Sequence, residues 1–212
     1  MADDQVIAKI EEQSWIDGIA APVSKPVSDL LARAPKLAGI LHGKWLGHPV
    51  HAAVTDIPVG AWATALVLDG ICLVTDRRHR RGVARASDLA VAVGLGGAML
   101  AAVFGIADWS RIKSDRAKRV GFLHGALNIV IAGLYGGSLV ARRGGARGLG
   151  IGLSTFGFAI AGFSAWLGGE LSYRHGVGVN RTKAVESEGF GLGSDDSINT
   201  GLLGDAGRIS YA

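Results

Sequence analysis

The sequence predicts an all-α protein: an integral membrane four-helix bundle with amphipathic interfacial helices at its N-terminus and an extended C-terminal tail. Three observations predict it. Of 212 residues, 49% are hydrophobic, only 19% are charged and 33 are glycine. The apolar residues fall into four runs, 51–75, 89–108, 121–141 and 149–169, each long enough to cross ~30 Å of hydrocarbon at ~1.5 Å per residue. These runs have little polar face, whereas the core helices of a soluble helical protein keep one.

Residues 1–46 lack the basic start, apolar centre and small-residue cleavage site of a signal peptide, so they are expected to stay with the mature protein. Val6, Ile7 and Ile10, then Trp15, Ile16 and Ile19, recur near helical spacing. Val23, Val27, Leu30, Leu31, Ala34 and Leu41 do so again after a turn around Ala21-Pro22. They predict two amphipathic helices, the second interrupted at Pro35, on the membrane surface or over the bundle mouth. The same face could instead serve dimerisation. Lys44-Trp45 pairs a cation with an amphipathic ring, an interfacial anchor. Gly47-His48-Pro49-Val50-His51 then opens the first span, because proline is favoured in the first turn of a helix. His48 at the cap and His51 three residues on share one face. That arrangement suits ligation, and it equally suits capping or interfacial hydrogen bonding.

Polar residues inside the spans are few. The first span carries Asp56, Pro58 and Asp69, the second ends in Asp108-Trp109, and the third begins near His124 and contains Asn128. Carboxylates in a span face protein, water or a cation, and a helix–helix hydrogen bond is the expected role of Asp69. Glycines such as Gly94, Gly97, Gly133, Gly137, Gly157 and Gly162 let backbones approach, which predicts a compact bundle. The loops are short and basic: five arginines in 76–87, five basic residues in 110–119, and Arg142, Arg143 and Arg147. With a net charge of +4, their ordinary partner is anionic lipid. Nucleic acid is not expected, because aromatic interleaving is lacking.

Four spans put both termini and the loop between spans two and three on one side. His42, His48, His51, His124 and His175 gather there with Asp56, Asp108 and Glu170, and His79 alone lies on the other. Imidazoles from facing helices are the usual axial ligands of a b-type haem, and imidazole with carboxylate holds Fe, Zn or Cu directly. The candidate ligands are His48, His51, His124 and His175. Asp56 and Asp108 are candidates for supporting them or handling protons, with Asn128 and Glu170 beside them. Cys72 is single, which excludes disulfides, c-type haem attachment and a cysteine-held iron–sulfur cluster within this chain. No serine sits in a nucleophile elbow.

The stretch Leu41-His42-Gly43-Lys44-Trp45-Leu46-Gly47-His48-Pro49-Val50-His51, with Ile57-Pro58-Val59-Gly60 and Leu68-Asp69, resembles an uncharacterised bacterial membrane family marked by a Gly-His-Pro-x-His motif. His124-Gly125-Ala126-Leu127-Asn128 and the stretch from Gly168 to Val179 extend the resemblance over roughly residues 40–180. Members often occur with Rieske-type iron–sulfur domains, so the resemblance implies a redox association. This sequence departs in having Ala52 where the family has a second proline, and no Rieske cysteines follow Val179, which would place any iron–sulfur centre on another chain.

The domain organisation expected is therefore surface helices over 1–46, the bundle over 47–175, and a glycine-rich tail over 176–212 able to dock on a partner or over the mouth. The function expected is membrane electron transfer through haem b or a redox metal, between a partner such as a Rieske-type protein or dehydrogenase and the quinone pool. The rivals are a cofactor-free structural subunit of a respiratory or photosynthetic complex, and a metal-ion carrier. The basic residues barely favour one orientation. A tail of this length without an export signal places both termini in the cytoplasm of a bacterial inner membrane.

Overall fold

Among residues 2–178, which the computed structural model describes, eight helices form and no strand does. The tail from residue 179 lies outside the described residues, and with it most of the segment expected to dock. Helices α1 (Ala2–Glu11), α2 (Trp15–Arg33) and α3 (Pro35–Leu41) make the N-terminal part. The break falls at Glu12–Ser14, and α2 continues through Pro22 and Pro26 instead of ending in a turn at Ala21-Pro22. The reason is local. The carbonyls that these prolines leave without a helical partner belong to Gly18 and Pro22, both of which are exposed. Pro35 begins α3 as expected.

The first span is built from α4 (Val50–Val54) and α5 (Asp56–Val74). Pro49 is itself the cap, so the helix starts one residue later than the motif suggests. Pro58 has no N–H for the Val54 carbonyl, and the helix is interrupted at Thr55. Then follow α6 (Arg80–Ser110), α7 (Asp115–Arg143) and α8 (Arg147–Tyr173). With the first span these give four segments of 25 to 31 residues, each long and apolar enough to cross a membrane. The last three exceed their apolar runs because the helices continue into arginine-bearing turns. The chain is thus an all-α membrane bundle.

Its core repeats itself. Residues of the first span have counterparts in α7 73 positions on, and residues of α6 have counterparts in α8 63 positions on. His51, Trp62 and Asp69 correspond in this way to His124, Tyr135 and Arg142, while Gly94, Ala101 and Gly105 correspond to Gly157, Ser164 and Gly168. Each member of the first set meets its own counterpart. The His51 and His124 rings lie 6.3 Å apart between centroids. Trp62 stacks on Tyr135 at 3.8 Å and 5°, and Arg142 Nη1 donates to Asp69 Oδ1 at 2.9 Å. Residues that touch their own equivalents lie on a two-fold axis. The bundle is two copies of one helical hairpin around a pseudo-two-fold axis along its length, with a histidine layer at one end, an aromatic layer in the middle and an ion-paired layer at the other. Gly94 and Gly157 face the aromatic layer equivalently: a Cβ there would stand 2.3 Å from the Trp62 ring and 3.1 Å from the Tyr135 ring.

The N-terminal helices pack across the histidine end. Ile7 of α1 is buried with Ala117, Val120, Leu167 and Leu171 of α7 and α8. Arg119 Nε donates to Asp17 Oδ1 at 2.9 Å, and its Nη1 donates to the Glu11 carbonyl. The guanidinium holds the Asp17 carboxyl below its ordinary value of 3.8. On the outward side of α2, Trp15, Ile19, Val23 and Leu30 remain exposed.

Candidate functional site

Each of the two axial histidines is fixed in the same way. His51 Nδ1 donates to the Ala101 carbonyl at 2.8 Å, and His124 Nδ1 donates to the Ser164 carbonyl at 2.8 Å. In a helix a carbonyl is satisfied by the residue four further on and accepts a second donor on its open side. Here that further residue is a glycine in both cases, Gly105 and Gly168, which lets the ring come close. A Cβ on Gly105 would stand 2.8 Å from His51 Cε1, and one on Gly168 would stand 3.3 Å from His124 Cε1. A carbonyl accepts only from N–H, so each neutral ring carries its proton on Nδ1 and presents a lone pair on Nε2. Metal-binding imidazoles are prepared in this manner, with the other ring nitrogen tied to a carbonyl or carboxylate.

The two halves then differ. Asn128 Nδ2 donates to His124 Nε2 at 3.1 Å, and to Ser164 Oγ and the His124 carbonyl. The counterpart of Asn128 is Thr55, whose hydroxyl turns back to the Ala52 carbonyl. No hydrogen bond to His51 Nε2 forms among the described residues. The rings stand nearly perpendicular, at 89°. The 6.3 Å separation places the two rings next to each other at this end of the bundle, with the Asn128 amide against one of them.

The other expected groups are placed around this pair in different ways. His48 is exposed in the turn before α4, and Asp56 is exposed at the start of α5, so neither joins the axial rings. His175 turns to α1, with Nε2 3.2 Å from Glu11 Oε1 but not aligned for a hydrogen bond. Glu170 pairs with Arg174 at 3.5 Å. Asp108 accepts from Nδ1 of His42, at 2.9 Å, and His42 is 2% exposed. That buried dyad was not legible in the sequence, although Ala101, Gly105 and Asp108 follow one face of α6 at helical spacing, a pattern able to mark where His51 and His42 dock. Among the described residues no group of three or more His, Cys, Asp or Glu side chains could hold a metal ion. His51 and His124 are the expected ligands that the fold brings together.

At the far end Asp69 is 3% exposed and more elaborately held than one helix–helix hydrogen bond requires. Arg142 grips both its oxygens, Ser87 Oγ donates at 2.7 Å and Arg147 Nη2 at 3.0 Å. Asp88 accepts from both arginines, at 3.1 and 2.8 Å. Two arginines and two aspartates, drawn from all four spans, close this end with balanced charge.

A family model described as a predicted membrane protein (DUF2231) matches residues 47–181. The chain belongs to the DUF2231 family. No curated protein and no solved structure matches it. The DUF2231 region takes in both hairpins, both axial histidines and the Asp69 cluster, and leaves out α1 to α3. The His51–His124 pair is therefore internal to the DUF2231 bundle, whereas the His42–Asp108 dyad joins that bundle to the N-terminal helices.

Proposed function

We propose that this DUF2231 protein is an electron-transfer subunit of a bacterial inner membrane, with a redox-active metal ion between His51 and His124. Electrons pass between a redox protein, a Rieske-type protein or a dehydrogenase, and the quinone pool, with both termini cytoplasmic. The observation that carries the reading is the pair of equivalent imidazoles on the pseudo-two-fold axis, each with Nδ1 committed to a backbone carbonyl, while among the described residues Nε2 of His51 accepts no hydrogen bond and Nε2 of His124 accepts only from Asn128. Imidazole nitrogens suit iron and copper, and small exogenous ligands would complete the coordination.

The chain's own residues hold and shield that position. Ala101 and Ser164 fix the tautomers, Gly105 and Gly168 admit the rings, and the Trp62–Tyr135 stack seals the bundle below. Asn128 has to move its amide from His124 Nε2 when an ion binds. The His42–Asp108 pair stands at this same end of the bundle and ties α3 to α6.

A porphyrin fits these surroundings less well than a bare ion. Pro58 and Ile131, about two helical turns on from His51 and His124, are buried in the bundle, and the ring edges rest against glycine backbone. Cavities of about 290 and 100 Å³ lie elsewhere, one lined by residues of α2 and α3 and one beside Trp62 and Phe158, and neither is lined by His51 or His124. Haem b would require the two hairpins to part at the histidine layer. Metal analysis of protein purified without chelators, together with oxidised and reduced absorbance spectra, tests the proposal. Iron or copper without a Soret band supports a bare redox ion, and a Soret band with paired visible bands supports haem. Zinc alone points to a carrier or structural site and defeats the redox reading.

The Asn128 amide on His124 Nε2 favours a second reading, in which the histidines are interhelical pins of a cofactor-free subunit. Asn128→Ala separates the two. In the metal reading it removes a competitor and tightens metal binding, and in the structural reading it only lowers stability.

A further inference from the structure

A cavity of about 290 Å³ opens between α2, α3 and the C-terminal end of α6, lined among others by Ser28, Leu31, Ala38, His42, Lys44 and Arg111. The cavity already has one matched lining residue, because buried His42 bonds Asp108 through Nδ1. Its two cations are unmatched: among the described residues neither Lys44 nor Arg111 forms an ion pair, whereas Arg119 and Arg174 on the same side do. The Lys44 stem lies across Gly39, where a Cβ would stand 3.7 Å from Cδ. The ammonium group is thus tethered to α3 beside the opening. Arg111 is fixed by the end of α6, its N–H bonded to the Asp108 carbonyl at 3.2 Å.

A point-charge donor, a forked guanidinium and the Ser28 hydroxyl around one cavity match a group with several anionic oxygens. Helices α2 and α3 and the turn that follows also present apolar side chains outward: Leu30, Leu37, Ile40 and Trp45 are exposed, and Trp45 is adjacent to Lys44. An anion site rimmed by exposed apolar residues and an indole suits headgroup depth better than open water. We propose that this cavity binds the phosphate of an anionic phospholipid and ties the α2–α3 arm to the end of α6.

The test uses the full chain in a neutral detergent, titrated with phosphatidylglycerol or phosphatidylcholine and read by native mass spectrometry. Two basic groups at headgroup depth predict a preference for phosphatidylglycerol of roughly tenfold or more. Lys44→Gln with Arg111→Gln is expected to abolish most of that preference. The charge-matched control, Lys25→Gln with Lys36→Gln, should retain it, since those residues do not line the cavity. Thermal unfolding of the first variant should match wild type, because both side chains are exposed and unpaired. The proposal is overturned if the two lipids bind alike or if the control loses as much. It is also overturned if inorganic phosphate displaces phosphatidylglycerol at equal concentration, which would make free phosphate the ligand.

Discussion

Exchanging the charges of Asp69 and Arg142 tests the two-fold construction of the bundle. In wild type Arg142 donates to both oxygens of a carboxylate that is 3% exposed, and its own side chain is fully buried. Asp69→Arg places two guanidinium groups against each other on the axis. At ~4 Å and an effective dielectric constant of ~20, the repulsion is ~4 kcal/mol, and breaking a buried pair costs ~3–5 kcal/mol. Neutral interhelical hydrogen bonds in bilayers average only ~0.6 kcal/mol, so a loss of this size identifies the charge pair and not the hydrogen bonds as the source. Arg142→Asp should cost a similar amount. The double variant restores an opposite pair at equivalent backbone positions. Recovery will be partial, because Arg147 and Ser87 favour a carboxylate at position 69 and Ser154 now serves Arg142. A coupling energy of ~2 kcal/mol is expected, measured by denaturant titration in fixed micelles with tryptophan fluorescence. A coupling below ~0.5 kcal/mol, within the additivity of unconnected sites, would refute the claim that the two residues are counterparts across an axis.

Three further outcomes are expected. Because Arg119 depresses the Asp17 carboxyl below 3.8, the clamp on α1 and α2 is complete above the unfolded value and is lost as pH falls through the lower folded one; amide exchange over residues 2–33 should stay slow from about pH 7 to about pH 5 and quicken only below about pH 4, and loosening between pH 5 and 7 would assign the clamp to another group. Gly105→Ala, whose Cβ would stand 2.8 Å from His51, should push the ring from the Ala101 carbonyl, cost ~1–3 kcal/mol and release metal, whereas Gly96→Ala, with nothing within 4 Å, should do neither; equal effects would count against the glycine seat. Protease added to sealed vesicles should spare the four spans and reach residues of 76–79 only from the face opposite the termini, and cleavage of both from one face would overturn the four-span topology.

Much of this architecture can be read from the residues because hydrophobic length is a strong signal: four apolar runs required four spans, and their order required the histidines to share an end. The helix ends were less legible, since Arg80 and Arg85 continue a helix that hydropathy alone starts nearer Leu89. Pro22 misleads for a different reason. Proline removes one helical hydrogen bond and crowds the preceding turn, and here the residues whose carbonyls are left over, Gly18 and Pro22, are exposed. The two-fold repeat is present in the sequence as His51, Trp62 and Asp69 against His124, Tyr135 and Arg142 at identical spacing. Different residue types hide it, because complementarity across an axis asks for Asp against Arg where homology would show Asp against Asp. Of the four histidines expected as ligands, only His51 and His124 carry that register. His48 and His175 lie on the same side of the membrane, but being on one side fixes depth without fixing the face of the helix, so His48 points to solvent and His175 turns to Glu11.

The most direct measurement is the metal content of histidine variants purified side by side under gentle conditions. The two-fold equivalence of the axial rings predicts that His51→Ala and His124→Ala lose iron or copper to the same extent and remain folded, because ligand loss removes metal affinity more than helix packing. His48→Ala and His79→Ala should keep wild-type content, the one exposed before α4 and the other paired with Asp76 at 3.0 Å at the far end. Wild-type protein without iron or copper, or equal loss in His79→Ala and His124→Ala, would contradict the account.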